Sequence, residues 1–152
     1  MAWMNRFSMR NMMYVLSIIG FIDSVYLYII KITNNKSLCL PGIGDCWSVN
    51  NSRFSEIAGV PISLLGAGAY LTIIVLLWLE GRNLFFQQYG PLLLFGLTLF
   101  GTIYSLYLTY IEIFVLHAIC PFCVISAVVM VFLFALAIPH MVKTNQAVLI
   151  SD

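Results

Sequence analysis

Cys39, Cys46, Cys120 and Cys123 are the residues of this 152-residue chain whose type and spacing can do chemistry. In Cys120-Pro121-Phe122-Cys123 two thiols stand two residues apart and can close a disulfide within one helical turn. Pro121 suits the first position of a helix, where its missing N–H costs nothing. A helix N-terminus favours a thiolate, the form that attacks disulfides. Cys39 and Cys46 flank a segment containing Pro41, Gly42 and Gly44, which can bring the pair together or turn either cysteine towards another partner. One pair in a loop and one at a helix start is the arrangement a thiol–disulfide relay needs, each exchange passing through a mixed disulfide. Zinc held by all four thiolates is the competing reading. The loop pair is spaced C-x6-C and no second CxxC is present, which disfavours it.

The elements that must position these thiols are membrane helices. Only 9% of residues are charged and mean hydropathy is +1.00, against roughly 25% charged in an ordinary soluble domain. Glu56 and Glu80 are separated by 23 uncharged residues, Arg82 and Glu112 by 29, and Glu112 and Lys143 by 30. Each run exceeds the roughly 18–20 apolar residues that cross a hydrocarbon core. A water-soluble enzyme, a disordered chain and a basic nucleic-acid binder are excluded. The expected fold is all-α: one membrane domain over residues 1–152, a four-helix bundle with helices at about 12–32, 60–79, 91–116 and 120–138. Residues 33–59 form its one long external loop, and the alternation of a membrane β-strand is absent.

Four helices put both termini on one side and all four cysteines at the opposite face. That gathering fits poorly with cysteines that merely fill apolar space. Arg6, Arg10, Arg82 and Lys143 fall on the terminal side, against Lys31, Lys36 and Arg53 on the other, a narrow vote for cytoplasmic termini. Disulfide chemistry belongs on the oxidising side, which places the long loop outside the cell membrane. An internal repeat supports the layout. Residues 20–32 match residues 101–113 at seven of thirteen positions, and the same offset of 81 carries Cys39 onto Cys120. A relay ending inside a bilayer must hand electrons to something membrane-soluble, and a quinone is the natural acceptor.

The run Cys46-Trp-Ser-Val-Asn-Asn-Ser52-Arg53-Phe54-Ser55, followed by Gly59-Val-Pro61, by Gly66 to Tyr70 and by Cys120-Pro-Phe-Cys123, resembles the vitamin K epoxide reductase family over almost the whole chain. The spacing is similar to that of prokaryotic members, which oxidise thiols. The resemblance implies that Cys120 and Cys123 are the active-site pair beside a quinone (ubiquinone or menaquinone), that Cys39 and Cys46 are shuttle cysteines, and that Ser52 is the family's serine. Many prokaryotic members continue into a fused thioredoxin-like domain. This chain ends at Asp152, so a separate thioredoxin-like carrier is the expected partner. Animal members carry a Tyr one turn beyond the second CxxC cysteine where Ala127 stands here, which argues against vitamin K epoxide as substrate.

The expected function is therefore a membrane thiol:quinone oxidoreductase supporting disulfide-bond formation, in the inner (plasma) membrane with its cysteines extracytoplasmic. Quinone or vitamin K epoxide reduction as the physiological activity, and a thiolate metal-binding membrane protein, are the alternatives. Oxidases of the DsbB type carry CxxC in their first external loop and fit less well. Among other polar residues, Asp23 lies mid-helix, where carboxylates are functional by default, with a proton role or a bundle hydrogen bond to Ser or Tyr as its readings. Lys31 and Glu112 occupy equivalent repeat positions with opposite charge and are candidates to pair at the cysteine face. His117 beside the CxxC turn is a candidate proton acceptor or simply a wet interfacial residue. Asn51-Ser52-Arg53 is expected to fold over the bundle mouth as a lid, with Ser52 bonding backbone groups and Arg53 favouring a nearby thiolate. Asn50-Asn51-Ser52 is a formal glycosylation acceptor.

Overall fold

The computed structural model describes residues 2–34, 37, 42 and 44–151. Four long helices form a bundle: α1 (Ala2–Thr33), α3 (Ile62–Glu80), α4 (Leu84–Phe114) and α5 (Pro121–Ser151). Each is long and apolar enough to cross a membrane, making this a multi-pass membrane protein. Between α1 and α3 lie a short helix α2 (Cys46–Asn50), a 3-10 turn at Arg53–Ser55, and a two-stranded hairpin of β1 (Glu56–Ile57) and β2 (Val60–Pro61). Among the described residues that hairpin is the one departure from the all-α expectation. Ala58 and Gly59, both at positive φ, make its turn.

Three helices run beyond the expected spans. α4 begins at Leu84 and carries Pro91 inside it, and α5 passes through Pro139 to Ser151. Proline reads as a stop in a soluble helix. In membrane helices the freed backbone groups find other partners, so the helix continues. α1 likewise starts at Ala2 instead of near Met12. At about 1.5 Å per residue, the 31 residues of α4 span roughly 46 Å, more than the roughly 30 Å hydrocarbon core.

The helices form a ring in which α1 packs on α3 and α5, and α4 on α3 and α5. Met13, Tyr70, Ile73, Leu77, Leu94 and Leu133 fill its centre. The outward faces are apolar and exposed, as lipid-facing surfaces must be. Tyr70 crosses the bundle, and its hydroxyl lies 2.9 Å from the Ser126 carbonyl. At the far end from the cysteines, His140 Nε2 lies 2.9 Å from Glu80 Oε1, both buried.

The two glycines matched in the sequence repeat do matching work. A Cβ on Gly20 would run into the Tyr70 ring, and one on Gly101 would lie 2.9 Å from the Met130 side chain. Both let a large side chain from the neighbouring helix approach the backbone, the role of small residues in membrane helix packing. Gly68, by contrast, has open space at its Cβ position. Gly20→Ala should lower the thermal midpoint in detergent, corresponding to about 1–3 kcal/mol of overpacking. Gly68→Ala should be neutral or stabilising by up to about 1 kcal/mol. Equal effects of the two substitutions on a fluorescence-monitored melt would contradict this packing account.

Candidate active site

Cys120 sits at the N-cap position of α5. Its carbonyl accepts the Val124 amide at 3.1 Å, closing the first helical turn. Its sulfur accepts the backbone amide of Cys123 and shares a hydrogen bond with the Cys123 thiol. A second side-chain hydrogen bond joins Cys120 to Cys46. Three of the four predicted cysteines are therefore in contact, with Cys120 in the middle. Cys120 is 0% exposed and Cys46 2%. The Cys123 thiol hydrogen bond, aided by those from Cys46 and the Cys123 amide, holds the Cys120 thiol below its ordinary range despite burial. That makes Cys120 the more readily ionised partner at the helix start, as capping geometry favours. Cys39 lies outside the described residues.

The contact between Cys46 and Cys120 is set by backbone. Gly44 approaches the turn before α5 so closely that a Cβ there would collide with the Ile119 carbonyl and lie 2.9 Å from Pro121 Cδ. Its φ of +82° is also one that side chains disfavour. The next amide, Asp45 N–H, donates to the Ile119 carbonyl at 3.1 Å. Asp45 then caps α2, accepting from the Ser48 amide at 3.1 Å and the Ser48 hydroxyl at 2.6 Å. Cys46, the next residue, is thereby delivered to Cys120.

The other end of α2 is fastened to α1. Asn50 Nδ2 donates to the Leu27 carbonyl at 2.8 Å, and Lys31 Nζ donates to the Asn50 carbonyl at 3.1 Å and to Ser55 Oγ at 2.6 Å. Lys31 also pairs with Glu56 at 3.0 Å. The expected Lys31–Glu112 pair does not form, because each residue holds the segment that follows its own helix. Glu112, 3% exposed, accepts the Cys120 amide at 3.2 Å and shares a hydrogen bond with the Cys123 side chain. The Asn50 amide is buried and engaged, so the glycosylation pattern has no accessible acceptor in the folded chain.

Beneath this cluster lies a cavity of about 400 Å³ between the helices, lined mostly by apolar side chains. Cys123 and Glu112 reach it from one side, Ser52 and Phe54 from the segment above, and Ala127 and Tyr104 from the helices. Ser52 Oγ donates to the Val49 carbonyl at 2.8 Å, and its own carbonyl accepts the Ser55 amide and hydroxyl. Arg53 is exposed and is not among the lining residues. Asp23 is buried, with Oδ2 lacking a hydrogen-bond partner, and it too is outside the lining. His117 is exposed, at a φ of +49°. Sequence reasoning missed two structural roles, Lys31 as the clamp on α2 and Glu112 as the partner of the CxxC segment. The available signal is their shared repeat position, two residues before a helix end.

The model of the vitamin K epoxide reductase family matches residues 11–138 of this chain. The thiol-disulfide oxidoreductase LTO1 of Arabidopsis thaliana is 33% identical over 122 residues, covering 77% of this chain and 32% of that protein. The chain thus spans about a third of the length of this curated relative.

Gly44→Ala should undock the loop from Ile119, through both the positive φ and the collision, while leaving the four-helix bundle folded. The checks are a melt close to wild type together with slower Cys46–Cys120 disulfide formation under a mild oxidant. Wild-type rates of Cys46–Cys120 crosslinking in this variant would show that the close approach is dispensable.

Proposed function

Because the chain belongs to the vitamin K epoxide reductase family, we propose that it is a membrane thiol:quinone oxidoreductase supporting disulfide-bond formation. Electrons enter from the dithiol of a reduced thioredoxin-like carrier, pass through Cys39 and Cys46 to Cys120 and Cys123, and leave on a quinone. The observation that carries this reading is the continuous contact Cys46–Cys120–Cys123 with Cys123 opening onto the cavity. Neither Cys46 nor Cys120 is among the lining residues, so the order of the relay runs inward.

Each step is a thiol–disulfide exchange. The carrier dithiol reduces a Cys39–Cys46 disulfide and leaves oxidised. The Cys46 thiolate attacks Cys120 of an oxidised CxxC, and Cys123 is the leaving thiolate. Cys39 then resolves the Cys46–Cys120 mixed disulfide. The reduced Cys120/Cys123 pair gives two electrons and two protons to the quinone, which departs as quinol. Hydrogen bonds from the Cys123 thiol and amide favour the Cys120 thiolate, which makes Cys120 a good leaving group when Cys39 resolves the mixed disulfide. Cys120 and Cys123 then take up the protons that Cys39 and Cys46 gave up.

The cavity suits a quinone head group. Its volume falls within the roughly 300–1,000 Å³ of ligand pockets, its walls are apolar, and few polar groups converge on it. Ser52 belongs to the covering segment that keeps water from the thiols, with Phe54 beside it. Arg53, exposed on the outer side of that segment, acts through its charge at the mouth. Ala127 presents only a methyl group to the cavity where animal members of the family carry a Tyr, which supports a quinone over vitamin K epoxide as substrate. Under this reading the cysteine face lies on the oxidising, extracytoplasmic side of the plasma membrane with cytoplasmic termini, which the chemistry of disulfides and the narrow excess of Arg and Lys at the other face support.

Purified protein supplied with a quinone and a reduced thioredoxin-like dithiol protein should form quinol. Absence of quinol with ubiquinone and menaquinone analogues would reject the proposal. Cys123→Ala should abolish quinol formation with little loss of stability, since it removes only one small side-chain atom. In the Cys39→Ala, Cys123→Ala double variant, mass spectrometry under oxidising conditions should find a Cys46–Cys120 disulfide. Free thiols at both positions would refute the order of transfer.

A further inference from the structure

We propose that Glu112 is the proton carrier of quinone reduction, taking the proton of the Cys123 thiol and delivering it to a quinone oxygen in the cavity. The inference rests on the function proposed above and adds a residue to its chemistry. Glu112 stands near the end of a membrane helix, 3% exposed, where an unneeded carboxylate is costly. Three independent contacts converge on it. Its carboxylate accepts the Cys120 amide at 3.2 Å, it shares a hydrogen bond with the Cys123 side chain, and it lines the cavity beside Cys123. Among the described residues it is the only acid in that lining. Glu56 is paired with Lys31 on the loop, Glu80 with His140 at the opposite end of the bundle, and Asp45 caps α2. Asp23 is buried but does not reach the cavity.

A carboxylate is more than the turn requires. An amide oxygen would accept the Cys120 N–H equally well and would bury no charge. What the amide cannot do is take up and release a proton. In the step itself the S–H bonds of Cys120 and Cys123 break and the Cys120–Cys123 disulfide forms. The two electrons released reduce the quinone, and two O–H bonds form on the quinol. Both protons come from the dithiol, one through Glu112 from Cys123 and the other from Cys120. Glu112 ends as it began, a carboxylate.

The discriminating variant is Glu112→Gln, which keeps the acceptor for the Cys120 amide. It should lower kcat for quinol formation by about 100-fold or more, the size of a lost acid–base group, with the KM for quinone little changed. Disulfide trapping between Cys46 and Cys120 in the Cys39→Ala, Cys123→Ala background should proceed as with Glu112 present. In the presence of dithiol carrier and quinone, mass analysis of alkylated thiols should find Cys120 and Cys123 accumulating reduced. Glu112→Asp should keep more of the rate than Glu112→Asn, which repeats the comparison at equal length should the Gln variant not fold. Wild-type turnover in Glu112→Gln would overturn the proposal. Parallel loss of trapping and turnover would also overturn it, since Glu112 would then only hold the turn. A wild-type protein that traps its disulfides but reduces no quinone would instead defeat the functional reading on which the proposal stands.

Discussion

The carbonyl of Ile119 lies in the irregular stretch between α4 and α5, where no helical amide is positioned to satisfy it. It accepts the Asp45 amide at 3.1 Å from a segment more than seventy residues earlier. An unpaired carbonyl near an apolar medium costs free energy comparable to a lost hydrogen bond, so this bond is favoured wherever the loop can reach it. Reaching it demands an approach that only glycine tolerates, and Gly44 supplies it. With the amide of residue 45 fixed, residue 46 has little freedom left, and Cys46 meets Cys120. The thiol contact is thus a consequence of backbone satisfaction. Thiols by themselves attract each other too weakly to fold a loop.

The remainder of the loop is held from the other side. Lys31 and Asn50 tie the end of α2 to the last turns of α1, and Phe122 of the CxxC packs its ring on Tyr26 of the same helix at 5.0 Å. α1 is therefore the platform common to both cysteine segments. The repeat gives this arrangement a plain logic. Lys31 and Glu112 occupy the same position in their respective halves, and each reaches forward to the polypeptide that leaves its helix. One binds carbonyls and a carboxylate with an ammonium group, the other an amide and a thiol with a carboxylate. Opposite charges follow from opposite kinds of partner, and the two residues need never meet.

The parts of this structure legible in the sequence are those that the bilayer enforces. Long uncharged runs must be helices because lipid satisfies no backbone group, so four spans and a shared face for Cys46, Cys120 and Cys123 are legible in the sequence. Helix ends were less legible, because Pro91 and Pro139 suggest boundaries that a membrane environment does not impose. The CxxC at a helix start was readable from Pro121, whereas the docking of Cys46 depended on Gly44 meeting a carbonyl far away in sequence. Lys31 and Glu112 read as a pair in sequence because charge complementarity is visible there and distance is not. Adjacency groups Arg53 with Ser52 in sequence, yet the chain at the 3-10 turn leaves Arg53 exposed and Ser52 at the cavity edge.

Burial constrains how electrons can enter such a site. Disulfide exchange needs an attacking sulfur to approach a target sulfur directly, and Cys46 and Cys120 are almost completely enclosed. A folded protein carrier cannot insert its own thiol between α2 and the start of α5 without undoing the Ile119 and Leu27 hydrogen bonds that hold them. Under the proposed function the carrier must therefore meet a different cysteine, and Cys39 is the one the chain offers. The same enclosure protects the inner pair: a thiolate kept from water and oxidants reacts with the partners that the fold presents to it. On the cavity side Cys123 is only partly buried, open towards the apolar space. Under that proposal the site has two entrances of opposite character, a protein-facing one that demands a relay and a lipid-soluble one that needs none. Under the same proposal two cysteine pairs connect them, the outer pair meeting the carrier and the inner pair the quinone.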